Sequence, residues 1–326
     1  MIAVNFPCRP DLYPHRMQYS WAQISHFVFD ALMRAFPRTK VEFFAPGATI
    51  PLADSDVLVG NVSDHMLRWK RSIIVDNDNL DVDRWLHGRF SKYGADYPTY
   101  HTGWTKPHME GCLAALLKTS DVAIRRWDSG DESVAAKKAW LLSSLGSVHV
   151  LPHPIDKVVF GARYRPEAQA GRMKMLVYHA GPTKNARELI DLLGKLGFTG
   201  HDFTVTDNIT RAPEIVERIV RDYPIFAHVS VSEGFPYLAN EFMCDGVLLY
   251  GHEEWWDGYG DDRLTWTYDP ARQEENASKL RYLFKPSSRA DLRDLRKIVR
   301  DRHVGRIDNE WSYFTNILVD EVRKHL

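Results

Sequence analysis

The sequence predicts an α/β fold of two tandem domains, each doubly wound, with a cleft between them. Short apolar stretches typical of buried strands alternate with amphipathic stretches along nearly the whole chain. This alternation is typical of a parallel sheet covered by helices. It stops at a proline-rich segment near the middle and then begins again, and a chain of 326 residues is long enough to bury two ordinary cores.

The first half begins with an apolar strand at 2–6, and apolar residues then recur at helical spacing within 19–36. Further strands are predicted at 41–44, 56–60, 72–75, 121–124 and 148–151, and further helices at 109–117 and 133–145. The alternation closes at Pro152-His153-Pro154. Because prolines hold their neighbours extended and stop helices, we place the domain boundary there, which gives a first domain of residues 1–154.

The second half repeats the pattern from residue 155 onward. Strands are predicted at 173–178, 203–206, 226–231 and 247–250, and helices at 186–196, 213–220 and 238–244. Two separate helical stretches, 289–300 and 309–324, close the chain. The repeated alternation predicts a second parallel sheet.

Composition excludes several classes of protein. Lys and Arg number 42 against 43 Asp and Glu, so no bulk charge draws the chain to nucleic acid or anionic lipid. The three cysteines are far apart and form no CxxC motif, and no apolar run approaches the roughly 20 residues that span a bilayer. We therefore expect a cytoplasmic enzyme without a transmembrane segment.

Two glutamates follow an apolar strand in the window 225–251. Glu233 comes at the expected strand end, and Glu241 lies eight residues later within a short predicted helix. In open parallel sheets, ligands bind beyond the carboxyl ends of the strands, where helix N-termini point their free N–H groups. A carboxylate there accepts bonds from neighbouring hydroxyls of a ribose or hexose. The alternative for Glu241 is a helix glutamate that faces solvent.

A second window, 176–192, leads from a strand through Gly181-Pro182 to Lys184-Asn185 at the start of an amphipathic helix. The helix dipole already places positive charge at its N-terminus, so a lysine there is favoured when an anion occupies the site. Lys184 is therefore a candidate anion ligand, with a solvated surface lysine as the alternative.

The window with Glu233 and Glu241 resembles the E-x7-E region of family 4 glycosyltransferases. Gly234, Phe235, Met243, Gly246 and Val247 also match that pattern, whereas Pro236 and Leu238 stand where the family usually has Gly and Pro. The resemblance implies the GT-B fold, in which two Rossmann-like domains face a cleft. It places the nucleotide-sugar domain at 155–305 and a helix that packs back on the N-terminal domain at 306–326.

The resemblance also implies a function: retaining, metal-independent transfer of a sugar from a nucleotide-sugar donor to an unidentified acceptor hydroxyl. Glu233 then holds sugar hydroxyls, Glu241 the ribose, and Lys184 with the amides near Gly234 and Phe235 the diphosphate. Asp76 is the candidate that orients the acceptor hydroxyl or the donor sugar. The remaining candidates for donor contacts are His179, Gly181 and Arg187. Where the family has an arginine before the lysine, this chain has Tyr178 or His179, and Arg187 is a substitute.

The loop after the first strand departs from the family, which usually has a glycine-rich loop there. Here Arg9, His15 and Arg16 are candidates for contacts with phosphate or acceptor, or ordinary loop cations.

Three other functions remain open. The segment Asp76-Asn77-Asp78 matches the DxD motif of single-domain glycosyltransferases, in which two carboxylates hold Mn²⁺ or Mg²⁺ on the diphosphate. Local basic patches at 68–71 and 125–127 fit an enzyme that glycosylates modified DNA bases. A lectin-like or regulatory protein with a degenerate site is the third.

Overall fold

The computed structural model divides the chain into two compact units, Met1–Pro154 with Asn309–Leu326 and Ile155–Asp308. The residues that it describes are 1–12, 20–61, 69–76, 112–117, 147–150, 155, 173–180, 186–209, 213–230, 237–252 and 265–326. Among them, no helix is both long and apolar enough to cross a membrane.

The first unit contains a six-stranded parallel sheet in the order β2-β1-β3-β4-β5-β6. Its strands are β1 (Ile2–Asn5), β2 (Val41–Phe44), β3 (Val57–Gly60), β4 (Ser72–Asp76), β5 (Cys112–Leu117) and β6 (Ser147–Val150). All residues of β1 and β3 are buried, as expected of central strands covered on both faces. A 3₁₀ turn, Pro10–Leu12, and helix α1 (Ser20–Ala35) follow β1, and α1 buries Ile24, Val28 and Leu32.

The second unit contains a five-stranded parallel sheet in the order β11-β10-β9-β7-β8. Its strands are β7 (Met175–Tyr178), β8 (Phe203–Thr206), β9 (Ile225–His228), β10 (Leu248–His252) and β11 (Thr265–Tyr268). Its helices are α2 (Arg187–Lys195), α3 (Pro213–Asp222), α4 (Tyr237–Cys244) and α5 (Gln273–Phe284); a 3₁₀ turn, Pro286–Ser288, then leads into α6 (Arg289–His325). The predicted mixed α/β fold with parallel sheets is confirmed.

One predicted helix is wrong. Residues 109–117 were predicted to be helical because Leu and Ala are good helix formers, but Cys112–Leu117 forms β5 between β4 and β6. Pairing with strands on both sides overrides the local preference of these residues. The strand predicted at 121–124 and the helix predicted at 133–145 lie outside the described residues.

The two closing helices predicted at 289–300 and 309–324 are one continuous helix of 37 residues, α6. The intervening residues continue the helical spacing, because Val299, His303 and Ile307 are all buried. Gly305 lies on the exposed side, where it costs a helix only about 1 kcal/mol, too little to break it. Neither strand β11 nor helix α5 was predicted, although the alternating Thr-Trp-Thr-Tyr of β11 is typical of a strand.

The last residues of α6 belong to the first unit and contact α1, β6 and the turn before β4. The ring of Trp311 lies 5.0 Å from that of Phe27 on α1, edge to face. Arg71 Nη1 donates to the carbonyl of His325 at 2.8 Å, and His149 Nε2 on β6 lies 2.9 Å from Glu321 Oε1. These contacts join the end of the chain to the first sheet.

Candidate functional site

The second sheet has a topological switch point between β7 and β9. The chain runs outward from β7 to β8 and then returns to the other side of β7 as β9. Ligands of open parallel sheets bind beyond the carboxyl ends of the strands at such a point. The residues that the structure describes there are Tyr178 and His179 at the end of β7 and His228 to Ser230 at the end of β9.

Stacked rings cover this part of the sheet. Tyr178 and His228 stack with their centroids 5.7 Å apart and their planes at 12°. His228 also stacks on Phe226 at 5.8 Å and is 4% exposed. Strand β9 therefore ends in a buried polar ring, a feature that the prediction of a plain apolar strand missed. The histidine at the end of Ile-Phe-Ala-His was the available signal.

His179 joins β7 to the start of α2. Its backbone N–H donates to the carbonyl of Thr206 at 2.8 Å, which extends the pairing of β7 with β8. Its ring Nδ1 accepts a hydrogen bond from the backbone N–H of Ala186, the N-cap of α2, at 3.0 Å. The predicted donor ligand His179 is thus half-buried at the switch point, with one ring nitrogen already engaged.

The first turn of α2 carries exposed charges. Arg187 is its first residue and is exposed, beside the exposed Glu188. The hydroxyl of Tyr268, on the edge strand β11, donates to Glu188 Oε2 at 3.5 Å. Burial, together with the negative charge of Glu188, raises the pKa of Tyr268 to about 12, so this phenol stays protonated at neutral pH.

Glu241 lies in the middle of α4, the helix that follows β9 at the switch point. It is 1% exposed, and α4 contacts both β9 and β10. The alternative of a solvent-facing glutamate is therefore wrong. A buried carboxylate is costly unless it has polar partners, and Glu241 is such a buried group rather than a surface charge.

The C-terminal end of α4 is fixed by its backbone and by α6. Gly246 has φ of +73°, and its N–H and that of Val247 bond to the carbonyls of Met243 and Phe242, both at 3.0 Å, in a Schellman-type ending. The fully buried Arg296 of α6 donates from Nε to the carbonyl of Gly246 at 2.6 Å. This bond holds the helix that carries Glu241 against α6.

Charges surround the buried thiol beside that helix end. Burial, followed by the carboxylates of Asp245 and Glu241, raises the pKa of Cys244 well above its ordinary value, while Arg300 acts in the opposite direction. The thiol is therefore neutral and unreactive at neutral pH. The carboxylates of Glu241 and Asp245 are thus both close enough to Cys244 to affect the pKa of its thiol.

Five of the predicted site residues lie outside the described residues: Gly181, Lys184, Glu233, Gly234 and Phe235. The nearest described residues are Ala180 and Ala186 on either side of Lys184, and Ser230 and Tyr237 on either side of Glu233. The carboxyl ends of β7 and β9 are neighbours in the sheet. Both segments therefore depart from the same edge of the second sheet.

The first sheet has its own switch point, between β1 and β3. Asn5, the last residue of β1, pairs with Gly60 of β3 and donates from Nδ2 to the carbonyl of Phe44 at 2.9 Å. Asp76 is the last residue of β4 and lies at the carboxyl edge of this sheet.

A pocket of about 660 Å³ lies in the first unit between the loop after β1, the end of β2 and α1. Its walls combine half-buried aromatic rings with an exposed ion pair of Arg9 Nε and Asp11 Oδ1 at 2.9 Å. The described residues that line it are Arg9, Pro10, Asp11, His26, Phe29, Phe43 and Ala45. The sequence pointed to Arg9 alone among them, because Phe29 and Phe43 read as ordinary core residues; His15 and Arg16 lie outside the described residues.

No group of three His, Cys, Asp or Glu side chains among the described residues is placed to hold a metal ion. Asn77 and Asp78 of the DxD segment are outside those residues. The single-domain fold that goes with that alternative is wrong for this chain, because the described strands form two separate parallel sheets.

No protein-family model matches this chain, and no curated protein matches it. Solved structures do. A sucrose-phosphate synthase from Thermosynechococcus elongatus superposes with a TM-score of 0.59 at 12% identity, covering 99% of this chain and 98% of that one. The apo structure of OtsA has a TM-score of 0.54 at 12% identity, with 90% and 77% covered. A UDP-forming trehalose-phosphate synthase from Burkholderia xenovorans has a TM-score of 0.54 at 11% identity, with 83% and 74% covered.

These neighbours are GT-B glycosyltransferases. At such low identity the likeness concerns the fold, and it agrees with the two parallel sheets and their strand orders. The chain has the GT-B fold, with Rossmann-like domains.

Proposed function

We propose that this protein is a glycosyltransferase that moves a sugar from a nucleotide-sugar donor to an acceptor hydroxyl, with retention of anomeric configuration and without a metal ion. The observation that carries the proposal is the placement of Glu241. Its carboxylate is buried on the helix that follows the switch-point strand of a GT-B fold. The names of the neighbours, UDP-forming trehalose-phosphate synthase and sucrose-phosphate synthase, support a nucleotide-sugar donor.

The donor is bound by the second unit. Glu241 accepts bonds from the ribose hydroxyls, Glu233 from the sugar hydroxyls, and Lys184 neutralises the diphosphate. A carboxylate that accepts two neighbouring hydroxyls forms charge-assisted bonds that are stronger than neutral ones. Gly181 and Arg187 complete the contacts around the phosphates at the start of α2, and His179 belongs to the same donor site at the end of β7.

The chemistry is electrostatic. As the sugar separates from the diphosphate, negative charge grows on the leaving phosphate and the sugar becomes oxocarbenium-like. Lys184 and the backbone N–H groups near Gly234 and Phe235 stabilise that charge, because groups already oriented toward the phosphate need no reorganisation during the reaction. The leaving phosphate takes the proton of the acceptor hydroxyl, and Asp76 orients the acceptor or the donor sugar.

The acceptor binds in the first unit. The pocket beside α1 has a volume of about 660 Å³, within the usual range of roughly 300–1,000 Å³ for small-molecule sites. Its aromatic walls, Phe29 and Phe43, suit the apolar faces of a saccharide, and Arg9 with Asp11 suits its hydroxyls or an anionic group. These features support a polar small molecule as the acceptor.

A donor screen tests the proposal. UDP-, GDP-, ADP- and CMP-sugars are added separately, and the melting temperature and the release of free nucleotide are measured with and without an acceptor panel that includes saccharides and duplex DNA. We expect one nucleotide class to raise the melting temperature and to be turned over. If no donor binds and none is consumed, the protein is not a glycosyltransferase; transfer to DNA alone, with salt-sensitive DNA binding, would replace the small-molecule acceptor.

Two further measurements test the retention of configuration and the independence from a metal ion. The NMR coupling at the new anomeric centre is compared with that of the donor, and an inverted configuration would disprove retention. Activity is then measured in EDTA and after Mn²⁺ is restored. We expect no change, whereas loss in EDTA with recovery in Mn²⁺ would favour a metal held by the acidic residues after β4.

A further inference from the structure

We propose that His179 is a positioning residue of the donor site, acting through the Nδ1 atom that holds the N-terminus of α2. This inference rests on the proposed function, because it concerns the start of α2, where Arg187 is a proposed donor contact. The bond from the Ala186 N–H to His179 Nδ1 connects residues seven positions apart. It therefore ties the two ends of the β7–α2 connection to each other.

The bond determines the tautomer of the ring. A backbone N–H can only donate, so Nδ1 must present a lone pair to it. The proton of the neutral imidazole is then on Nε2. A doubly protonated ring would place one N–H against another and would lose the bond. His179 is therefore a neutral acceptor at Nδ1 and a donor at Nε2.

The bond also satisfies a group that has no other cap. Ala186 is the N-cap of α2, has no oxygen in its side chain and is 1% exposed, and α2 has no side-chain cap hydrogen bond at that residue. A buried N–H without a partner costs about 1–3 kcal/mol. His179 thus satisfies the N–H of the N-cap residue, the group that the Glu at N3 satisfies in a capping box.

Both ends of this arrangement are themselves anchored. His179 donates its own N–H to Thr206 of β8, and Leu189 and Leu193 of α2 are fully buried. The ring of His179 therefore connects an anchored strand end to an anchored helix. Loss of the bond therefore disconnects the end of β7 from the start of α2, where Arg187 is the first helical residue.

Two substitutions separate the two ring nitrogens. His179→Asn places an amide oxygen near the position of Nδ1 and keeps the acceptor, whereas His179→Gln reaches the position of Nε2 and keeps a donor there. We expect His179→Gln and His179→Ala to weaken donor binding about tenfold, equivalent to one hydrogen bond, with kcat at saturation changed much less. His179→Asn should stay within about threefold of the wild type, by isothermal titration calorimetry and steady-state kinetics.

Other outcomes overturn the assignment. If His179→Gln is active and His179→Asn is not, the ring acts through Nε2 on the ligand and not through α2. An equal loss of donor affinity in all three variants, or no loss of donor affinity in any of them, likewise excludes Nδ1 as the positioning atom. Thermal melts followed by circular dichroism show whether each variant is folded at the assay temperature.

A measurement without donor separates this inference from the proposed function. Long-range ¹H–¹⁵N NMR of the histidine ring reports the protonated nitrogen directly, and amide exchange reports protection of the Ala186 N–H. We expect protonation at Nε2, with the Ala186 amide protected in the wild type and in His179→Asn but not in His179→Gln. A ring protonated at Nδ1 would disprove the arrangement even if the protein binds a nucleotide sugar. If the ring and amide results hold but no donor binds, the proposed function fails and the cap itself stands.

Discussion

Gly60 on β3 and Asn5 on β1 approach each other so closely that residue 60 has no room for a side chain. A Cβ built on Gly60 would overlap the carbonyl oxygen of Asn5 and come within 2.9 Å of its carbonyl carbon. The same carbonyl accepts the N–H of Asn61 at 3.1 Å. At the switch point of the first sheet, the backbones of the ends of β1 and β3 are therefore in direct contact.

Gly60→Ala should therefore lower the free energy of unfolding by at least about 2 kcal/mol, because backbone atoms cannot move aside as a flexible side chain can. Gly194→Ala is the matched control: it lies in α2 with no atom within 4 Å of its added Cβ, and it should stabilise by about 0.5–1 kcal/mol. Urea denaturation measures both. Equal effects of the two substitutions would show that the strands are not this close.

Glu321 connects α6 to β6 in the first unit. Its carboxylate is 3% exposed, lies 2.9 Å from His149 Nε2 and accepts a bond from Lys324 Nζ at 2.7 Å. Glu321→Gln should cost about 1.5–3 kcal/mol. The neighbouring Asp320→Asn should change stability by less than about 0.5 kcal/mol, because the Asp320–Arg323 pair is exposed.

The Glu321 contribution should also depend on pH. Burial raises the pKa of this carboxyl, but the bonds from Lys324 and His149 hold it below its ordinary value of 4.5. A folded-state pKa below the unfolded one gives a contribution that is complete above about pH 4.5 and is lost as pH falls through the lowered value. The difference in unfolding free energy between wild type and Glu321→Gln should shrink accordingly in acid. A difference that stays constant would mean that the charge of Glu321 contributes nothing.

Glu241→Ala and Lys184→Ala should each weaken donor binding or turnover about ten- to hundredfold, the equivalent of one charged hydrogen bond. Glu241→Gln keeps the shape of the buried side chain and should lose binding through the charge alone. Glu217→Gln on the exposed face of α3 is the control and should leave both constants unchanged. If Glu241→Gln and Lys184→Ala kept full activity on a proven donor, the site assignment would be wrong.

Arg9→Ala should raise the KM for the acceptor without changing donor affinity, because Arg9 lines the pocket of the first unit whereas the proposed donor residues lie in the second. Arg34→Ala removes an equally exposed arginine from the far end of α1, where it pairs with Asp30, and should have no effect. The acceptor KM is measured at saturating donor with varied acceptor, and the donor KM at saturating acceptor with varied donor. A change in the donor KM alone would place Arg9 at the donor instead.

Several elements were predictable because their information is local. Val41–Phe44 and Phe203–Thr206 were predicted at their observed bounds, since each is a short apolar or β-branched run between turn residues. The position of Glu241 on a helix between two strands followed from the same alternation. Its burial did not, because an isolated helix sequence does not reveal what covers each face.

What only the tertiary structure decided depends on residues distant along the chain. Cys112–Leu117 is a strand because β4 and β6 flank it, and α6 continues past Gly305 because buried residues at helical spacing lie on either side of it. The bond of Arg296 to Gly246 joins residues 50 positions apart whose sequences carry no sign of each other. Sequence alone determined the alternation of strands and helices and the presence of Glu233 and Glu241 after β9, because hydrophobic periodicity and turn residues are local properties of the chain. The strand orders and the switch points follow from non-local pairing, which only a folded chain can establish.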